Sequence, residues 1–226
     1  MASIRNNLDR LWEKIGIACR QSGRSEAEIT LVVVTKTVEP DQILEAIDCG
    51  VKEIGESRVQ EAESKFKSLP QEIKKHLVGH LQTNKVKKAL ELFDLIQSVD
   101  SLKVAEEINR RSTESMPALI EVNTSGEATK SGVKPEEALE FLRRLSELEH
   151  LKILGLMTVG PLTEDQTVIR SSFRALRNLF ERAGRLNVPN CQMKYLSMGM
   201  SSDFEIALEE GSNMLRIGTA IFGPRK

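Results

Sequence analysis

Aromatic residues are scarce in this chain, and it contains no long apolar run. Only 4% of its 226 residues are Phe, Trp or Tyr, and hydrophobic residues of all kinds make up 40%. A transmembrane helix needs about 20 consecutive apolar residues, so the sequence argues against a membrane span. Residues 1–20 alternate apolar and charged side chains at helical spacing, without the apolar segment of a secretory signal. We therefore expect a cytoplasmic protein.

The chain also lacks an excess of either charge. Its 32 basic and 33 acidic residues give a net charge of -1, whereas a general nucleic-acid binder shows a clear basic excess. The local cluster of Lys85, Lys87 and Lys88 is more typical of a solvated helix face than of a binding patch. We expect no nucleic-acid partner.

Cysteine and histidine occur only three times each, at spacings that do not match a metal site. Cys19, Cys49 and Cys191 form no C-x-x-C pair, which indicates reduced thiols in a reducing compartment. The histidines have no ligand spacing with one another or with the cysteines. The sequence thus predicts no metal site.

What the sequence does contain is a regular alternation of short apolar runs with amphipathic segments. The first run, LVVVTK, is continuous, as in a parallel strand that is covered on both faces. Helical patterns lie between the runs, and one more precedes the first of them. The runs predict eight strands, at residues 31–36, 52–56, 75–80, 94–99, 118–123, 151–159, 195–199 and 213–218.

This alternation predicts a single α/β barrel of the TIM type, (β/α)8, with an extra N-terminal helix. No composition break or Gly/Ser-rich linker divides residues 1–226, so we expect one domain. An open, doubly wound sheet is the main alternative. Functional residues of such barrels collect where strands end and loops begin. The candidates at these ends are Lys36, Glu56, His80, Asn123, Met157, the loop from Gly199, and Gly218.

Lys36 closes the first predicted strand, among valines that partly desolvate its amine. Desolvation favours the neutral, nucleophilic form of a lysine, which Schiff-base chemistry requires. Taken by itself, a lysine at a strand end more often extends its ammonium into solvent. The lysine therefore needs support from other residues before it predicts a function.

Ser201 lies in one of two segments that are typical of an anion site. The segment LSMGMSSDFEIAL (196–208) is a Gly-Met-Ser-Ser turn that leads into a helix. Free backbone N–H groups and hydroxyls at a helix start bind phosphate or another anion. Ordinary helix capping gives the same pattern.

The second such segment is RIGTAIFG (216–223). Gly218 lets a ligand approach the backbone closely, and Thr219 adds a second N–H group to the same cup. Arg216 lies on the same strand face as Gly218 and points either at a ring nitrogen, at a phosphate or at a surface partner. A phosphorylated aldehyde would join this cup to Lys36 across the barrel mouth.

These segments closely resemble the pyridoxal 5′-phosphate (PLP) homeostasis proteins, a family similar to the N-terminal domain of alanine racemase. The resemblance covers nearly the whole chain. One departure is Ser57, where the family usually has asparagine. The resemblance rests on VTKT at Lys36, IGESRVQEA (54–62), HLVGHLQTNK (76–85), EVNTSGEATKSG (121–132), GLMTVG (155–160), LSMGMSSDFEIAL (196–208) and RIGTAIFG (216–223).

The resemblance implies a monomeric barrel that holds PLP as an aldimine on Lys36. It also implies that Arg216 faces the pyridine nitrogen and that Met157 packs near the ring. The phosphate would be held by Ser201, Gly218 and Thr219.

An arginine beside the ring nitrogen disfavours protonation of the ring, because the arginine charge is permanent. An unprotonated ring is a poorer electron sink for a carbanion. The resembling racemases also use a second domain, for which we expect no room here, and a tyrosine from a partner subunit. The only tyrosine of this chain, Tyr195, begins the seventh predicted strand and is expected in the core or barrel wall.

We therefore expect a PLP carrier or buffer, without robust catalytic activity, that influences amino- and keto-acid balance. Its candidate partners are PLP-dependent apo-enzymes or a regulatory protein. The alternative is a PLP-dependent amino-acid racemase. A third class, a barrel enzyme that acts on another phosphorylated substrate, would be colourless.

Overall fold

Eight parallel strands form a closed barrel in the computed structural model, which describes residues 3–224. The strands are β1 Thr30–Val34, β2 Glu53–Glu56, β3 Lys74–Leu77, β4 Leu95–Val99, β5 Met116–Glu121, β6 Leu151–Met157, β7 Cys191–Ser197 and β8 Met214–Ile217. They follow one another around the barrel in chain order, and β1 pairs with both β2 and β8. The predicted barrel is confirmed, and an open sheet is wrong for this chain.

Helices surround the barrel and connect its strands. They are α1 Ile4–Gln21, α2 Pro40–Asp48, α3 Val59–Lys65, α4 Val86–Leu92, α5 Leu102–Arg111, α6 Ala138–Leu145, α7 Gln166–Gly184, α8 Phe204–Glu209 and α9 Thr219–Phe222. Local chemistry explains several starts: Pro40 begins α2, and Asp165 accepts the N–H groups of Thr167 and Val168 at the start of α7. No helix within residues 3–224 is long and apolar enough to span a membrane.

Several predicted boundaries are wrong. β1 ends before Lys36, because the chain turns there and Thr37 adopts a φ of 61°, which a strand cannot contain. β7 begins at Cys191, so Tyr195 lies within the strand rather than at its start. The first half of β7 alternates exposed and half-buried residues, so it contains no continuous apolar run that would predict a strand. The one-turn helix α9 is too short to show a helical period.

The barrel has one apolar region outside the sheet and another inside it. Alternation along β1 directs Leu31 and Val33 toward the helices and Val32 into the barrel. The interior cluster is small and consists of Val32, Leu95, Leu119, Met157 and Met214. Polar side chains, among them Gln97 and Arg216, are buried as well. Part of the barrel interior is therefore available for polar chemistry.

A β-bulge at Gly155 sets the register between β6 and β7. Ile153 pairs with Cys191 and Gly155 with Tyr195, so two residues along β6 span four along β7. Gly155 has a φ of 148°, and a Cβ atom there would lie 1.9 Å from the Tyr195 carbonyl oxygen. Only glycine fits this position. Beyond the bulge, Met157 at the end of β6 pairs with the last residue of β7.

Candidate functional site

Lys36 is half-buried in the turn between β1 and α2, at the carboxyl end of the barrel. It lines a cleft of about 650 Å³ together with Ser57 and His80. It also lines a second cleft, of about 600 Å³, together with Gly218 and Thr219. Within residues 3–224 the Lys36 ammonium forms no ion pair. Its amine is therefore available to a ligand in either cleft.

The turn that carries this lysine is held by a buried ion pair. Lys65 Nζ lies 2.8 Å from Glu56 Oε1 and donates a hydrogen bond to the Thr35 carbonyl oxygen at 2.7 Å. Thr35 Oγ1 donates to the same carboxylate oxygen at 2.7 Å. The Thr37 N–H donates to Glu61 Oε2 at 3.3 Å, next to the left-handed φ that a β-branched residue rarely adopts. These contacts hold a strained turn in place.

The predicted phosphate residues belong to one connected region. Gly218 ends β8 and precedes α9, and a Cβ atom there would lie only 3.1 Å from the Val34 carbonyl oxygen. Gly218 and Thr219 line the 600 Å³ cleft. Ser201 Oγ accepts the Ala220 N–H at 3.1 Å, which joins the loop after β7 to α9. Because this hydroxyl accepts from Ala220, its hydrogen remains available for another acceptor.

Arg216 is buried inside the barrel, so the surface ion pair that the sequence left open for it is wrong. Its Nη1 donates to Ser197 Oγ and its Nη2 to the Thr158 carbonyl oxygen, both at 2.6 Å. Burial lowers the pKa of the Arg216 guanidinium to about 10, and the charges of Glu121 and Asp203 oppose that shift. The guanidinium therefore stays protonated at neutral pH.

Met157 lies close to this arginine in the fold. It is fully buried, ends β6 and belongs to the interior cluster with Met214. The next residue, Thr158, supplies the carbonyl oxygen that Arg216 binds. The structure thus brings two predicted site residues to the same end of the barrel interior.

Sequence reasoning missed a buried acid, Glu121, at the end of β5. Burial, with a smaller contribution from the charge of Asp100, raises the pKa of Glu121 to about 7, although the charges of Arg216 and His80 oppose the shift. Asp100 Oδ2 lies 2.8 Å from His80 Nδ1. A single carboxyl group at the end of the apolar run ALIEVN was the signal that could have found it.

Two residues expected at the mouth support the structure instead. The Glu56 side chain contacts Lys65 of α3, on the outer side of the barrel. Asn123 Nδ2 donates to the carbonyl oxygens of Glu127 and Lys130, so this side chain holds its own loop together. Both lie at strand ends, but strand alternation and loop geometry direct their side chains away from the clefts.

Comparison with known proteins identifies the family of this chain. The family described as alanine racemase, N-terminal domain, matches residues 6–226. A protein of Aquifex aeolicus named pyridoxal phosphate homeostasis protein is 44% identical over 223 residues, which cover 97% of each chain. The chain belongs to the pyridoxal phosphate homeostasis protein family. The family member of Escherichia coli K12 is 37% identical over 232 residues, covering 100% of this chain and 98% of its own.

Several solved structures superpose on this chain. PipY of Synechococcus elongatus, solved with PLP bound, superposes with a TM-score of 0.83 at 32% identity, covering 98% of this chain and 100% of that one. A protein from Bifidobacterium adolescentis superposes with a TM-score of 0.93 at 37% identity, covering 97% and 94%. Alanine racemase of Clostridium difficile is 16% identical, with a TM-score of 0.76 over 99% of this chain and 56% of the racemase. It shares the fold.

The residue that departs from the usual pattern of the homeostasis family lies at the same mouth. Ser57 lines the 650 Å³ cleft, and so does Lys85 from the predicted basic cluster. The other two lysines of that cluster differ from Lys85. Lys87 is exposed, and Lys88 pairs with Glu63 at 2.9 Å. Lys87 and Lys88 both lie on a solvated helix face, as expected, because the side chains of Lys88 and its partner Glu63 are 39% and 46% exposed.

Proposed function

We propose that this protein binds PLP at the barrel mouth, within one PLP-binding barrel domain of residues 1–226, and that Lys36 is the residue of covalent attachment. The position of Lys36 carries the proposal, because its amine, which forms no ion pair within residues 3–224, shares a 600 Å³ cleft with Gly218 and Thr219. The aldehyde of PLP condenses with a primary amine with loss of water, which is the chemistry that the cofactor supplies when bound. Relatives named for pyridoxal phosphate homeostasis and the PLP-bound structure of PipY support this proposal.

The part of that cleft formed by the end of β8 and the start of α9, next to β1, suits a phosphate group. Gly218 and Thr219 present backbone N–H groups at the start of α9. Ser201 Oγ is the acceptor in its bond with the Ala220 N–H, so that bond leaves the hydroxyl hydrogen free to be donated to a phosphate oxygen. We assign phosphate binding to Ser201, Gly218 and Thr219.

Arg216 is assigned to the pyridine nitrogen and Met157 to the face of the ring. The guanidinium can only donate hydrogen bonds and stays charged at neutral pH, so it holds the ring nitrogen as an unprotonated acceptor. Met157 is buried beside the arginine's anchor at Thr158. A residue pair of this kind binds and orients a ring without assisting carbanion chemistry.

We infer that the protein acts as a monomeric PLP carrier or buffer without robust catalytic activity. The relatives from Aquifex aeolicus and Escherichia coli, at 44% and 37% identity, carry no enzyme name. Tyr195 lies within β7, two residues before its end, and packs half-buried against the interior cluster, so we assign it to the barrel wall rather than to an acid or base at the mouth. Apo-enzymes that need PLP, or a regulatory protein, are the candidate partners. Action in the cytoplasm stays a prediction.

Borohydride reduction followed by peptide mass mapping tests the attachment residue. We expect a phosphopyridoxyl group on Lys36 and none after Lys36→Ala substitution. Lys85→Ala is the matched control and should leave the label unchanged, because Lys85 shares the 650 Å³ cleft with Lys36 but does not line the 600 Å³ cleft of Gly218 and Thr219. A label on another lysine would overturn the assignment.

An assay of L-alanine optical rotation separates the carrier from the racemase alternative. We expect the purified protein to leave the rotation unchanged on the time scale of an enzymatic assay. Turnover at ordinary enzymatic rates, on the order of 1–1000 per second, would make the carrier proposal wrong. A colourless protein that does not bind PLP would indicate the third class, an enzyme of another phosphorylated substrate.

A further inference from the structure

A continuous chain of hydrogen bonds crosses the barrel interior, starting at Arg216. Arg216 Nη1 donates to Ser197 Oγ at 2.6 Å, and Ser197 Oγ donates to Gln97 Oε1 at 2.6 Å. Gln97 Nε2 lies 2.9 Å from His76 Nδ1, and His76 Nε2 lies 3.0 Å from Glu53 Oε2. The chain joins five strands and ends on β2, whose first residue is Glu53.

Four of the five members of this chain are almost completely removed from water, and the Glu53 side chain at its end is 17% exposed. Ser197 and Gln97 are 0% exposed, His76 is 2% exposed and Arg216 4%. A buried polar group without a partner is costly, so such a network is tolerated only when its members are satisfied. The interiors of barrels of this type are usually filled by Val, Ile and Leu. A polar chain in this place therefore calls for a physical reason.

Hydrogen-bond chemistry gives the chain a single direction. Arg216 can only donate, so Ser197 accepts from it and passes its own hydrogen to the Gln97 amide oxygen. The Gln97 amide nitrogen then donates to His76 Nδ1, which must be bare. The remaining hydrogen of His76 is on Nε2 and is donated to Glu53.

The carboxylate of Glu53 is the last acceptor of the chain. The pKa of Glu53 is lowered: burial raises it, and the hydrogen bond from His76 together with the nearby charges of Lys74 and Lys194 acts in the opposite direction. Glu53 therefore accepts a hydrogen bond and donates none. A group that only donates stands at one end of the chain and a group that only accepts at the other.

We propose that Gln97 and His76 are positioning residues for Arg216 in the cofactor site. His76 fixes which end of the Gln97 amide faces Ser197, and Ser197 then offers its lone pairs to the guanidinium. The Thr158 carbonyl oxygen supplies the second anchor, so the two anchors together set the direction of the remaining N–H groups. The proposal rests on the proposed function, because it assigns those groups to the ring nitrogen of PLP.

Substitution of Gln97 tests the positioning role. Gln97→Met keeps the length of the side chain but removes both hydrogen bonds, so Ser197 loses its acceptor. We expect about tenfold weaker PLP binding and a shifted absorbance of the bound cofactor, since one anchor of a buried charged donor is disturbed. The control is Ser98→Ala on the same strand, which removes the bond from Ser98 Oγ to the Gly79 carbonyl oxygen, 2.6 Å long and outside the chain.

The Ser98→Ala control distinguishes a positioning role of Gln97 from a general effect on stability. Ser98→Ala should lower stability yet leave the affinity for PLP and the absorbance unchanged. Equal losses of affinity in Ser98→Ala and Gln97→Met, or unchanged affinity and absorbance in Gln97→Met, would overturn the proposal. Gln97→Glu keeps an acceptor for Ser197 and should restore affinity and absorbance close to wild type. It also carries the test if Gln97→Met does not fold.

The tautomer of His76 tests the chain without any cofactor. Nitrogen-15 NMR of histidine-labelled protein without PLP should show the hydrogen on Nε2 and a bare Nδ1. The chain contains three histidines, so a His76→Gln variant assigns the signal. In Gln97→Glu both ring nitrogens should carry hydrogen, because the carboxylate accepts from Nδ1. A wild-type His76 with its hydrogen on Nδ1 alone would overturn the directed chain.

The two proposals fail in different ways. Wild-type protein that binds no PLP would overturn the proposed function, and with it the assignment of Arg216 to a ring nitrogen. Wild-type protein that binds PLP while Gln97→Met binds it equally well would overturn only the positioning role.

Discussion

Replacing Lys65 by methionine should destabilise the protein, because it leaves the carboxylate of Glu56 buried without a cation. Glu56 is 0% exposed, and its Oε2 atom has no hydrogen-bond partner within the described part of the chain. The carboxylate therefore depends on Oε1, which contacts Lys65 Nζ at 2.8 Å and Thr35 Oγ1 at 2.7 Å. The same substitution removes the hydrogen bond from Lys65 to the Thr35 carbonyl oxygen.

The expected loss of stability in Lys65→Met follows from the burial of the Lys65–Glu56 ion pair. Removing one partner of a buried ion pair costs about 3–5 kcal/mol. The Lys65 side chain is 11% exposed, so some water reaches the gap and the lower end of that range applies. We expect the free energy of unfolding to fall by about 3 kcal/mol. In a protein of this size each kcal/mol lowers the melting temperature by about 2–4 °C, which gives a shift of roughly 6–12 °C.

Urea titrations of wild type, Lys65→Met, Glu56→Gln and the double variant measure this effect. Glu56→Gln should recover stability in the Lys65→Met background, because no charge is then left buried. Lys67→Met is the control, since Lys67 is exposed and its loss should cost less than about 0.5 kcal/mol. A loss under about 1 kcal/mol for Lys65→Met, or no recovery in the double variant, would refute the reasoning.

Three further substitutions test other parts of the molecule. Arg216→Met should weaken PLP binding in calorimetric titrations about tenfold or more, because a charged hydrogen bond is worth about 1.5–3 kcal/mol; unchanged affinity would place Arg216 outside the site. Burial raises the pKa of Glu121 from 4.5 to about 7, so the unfolded chain loses this proton first as the pH rises. In urea titrations without PLP, the free energy of unfolding of wild type should therefore fall by roughly 3 kcal/mol relative to that of Glu121→Gln as the pH rises from about 4.5 to about 7. Above about pH 7 the difference between the two proteins should stay constant. A difference in unfolding free energy that does not change with pH would contradict the raised pKa. Gly155→Ala should cost more than about 3 kcal/mol in thermal melts followed by circular dichroism, because its Cβ atom would collide with the Tyr195 carbonyl oxygen; a melt close to wild type would show that the bulge can open.

Local pattern was sufficient for the fold class and for the approximate position of the cofactor site. Parallel strands that are buried on both faces form continuous apolar runs, and short connections leave a barrel as the compact arrangement. Because the carboxyl ends of parallel strands meet at one rim, Lys36 and Gly218 were expected near each other and line one cleft. The ordered motifs also identified the family. All of these signals lie within short segments of the chain.

Tertiary structure alone decided which polar groups are buried and what they contact. Gln97 and Ser197 lie 100 residues apart in sequence, and their hydrogen bond depends on the register and curvature of the closed barrel. The direction of Glu56 toward α3 and the raised pKa of Glu121 have the same origin. Burial and electrostatic partners are set by residues that meet only after folding, so no local pattern encodes them.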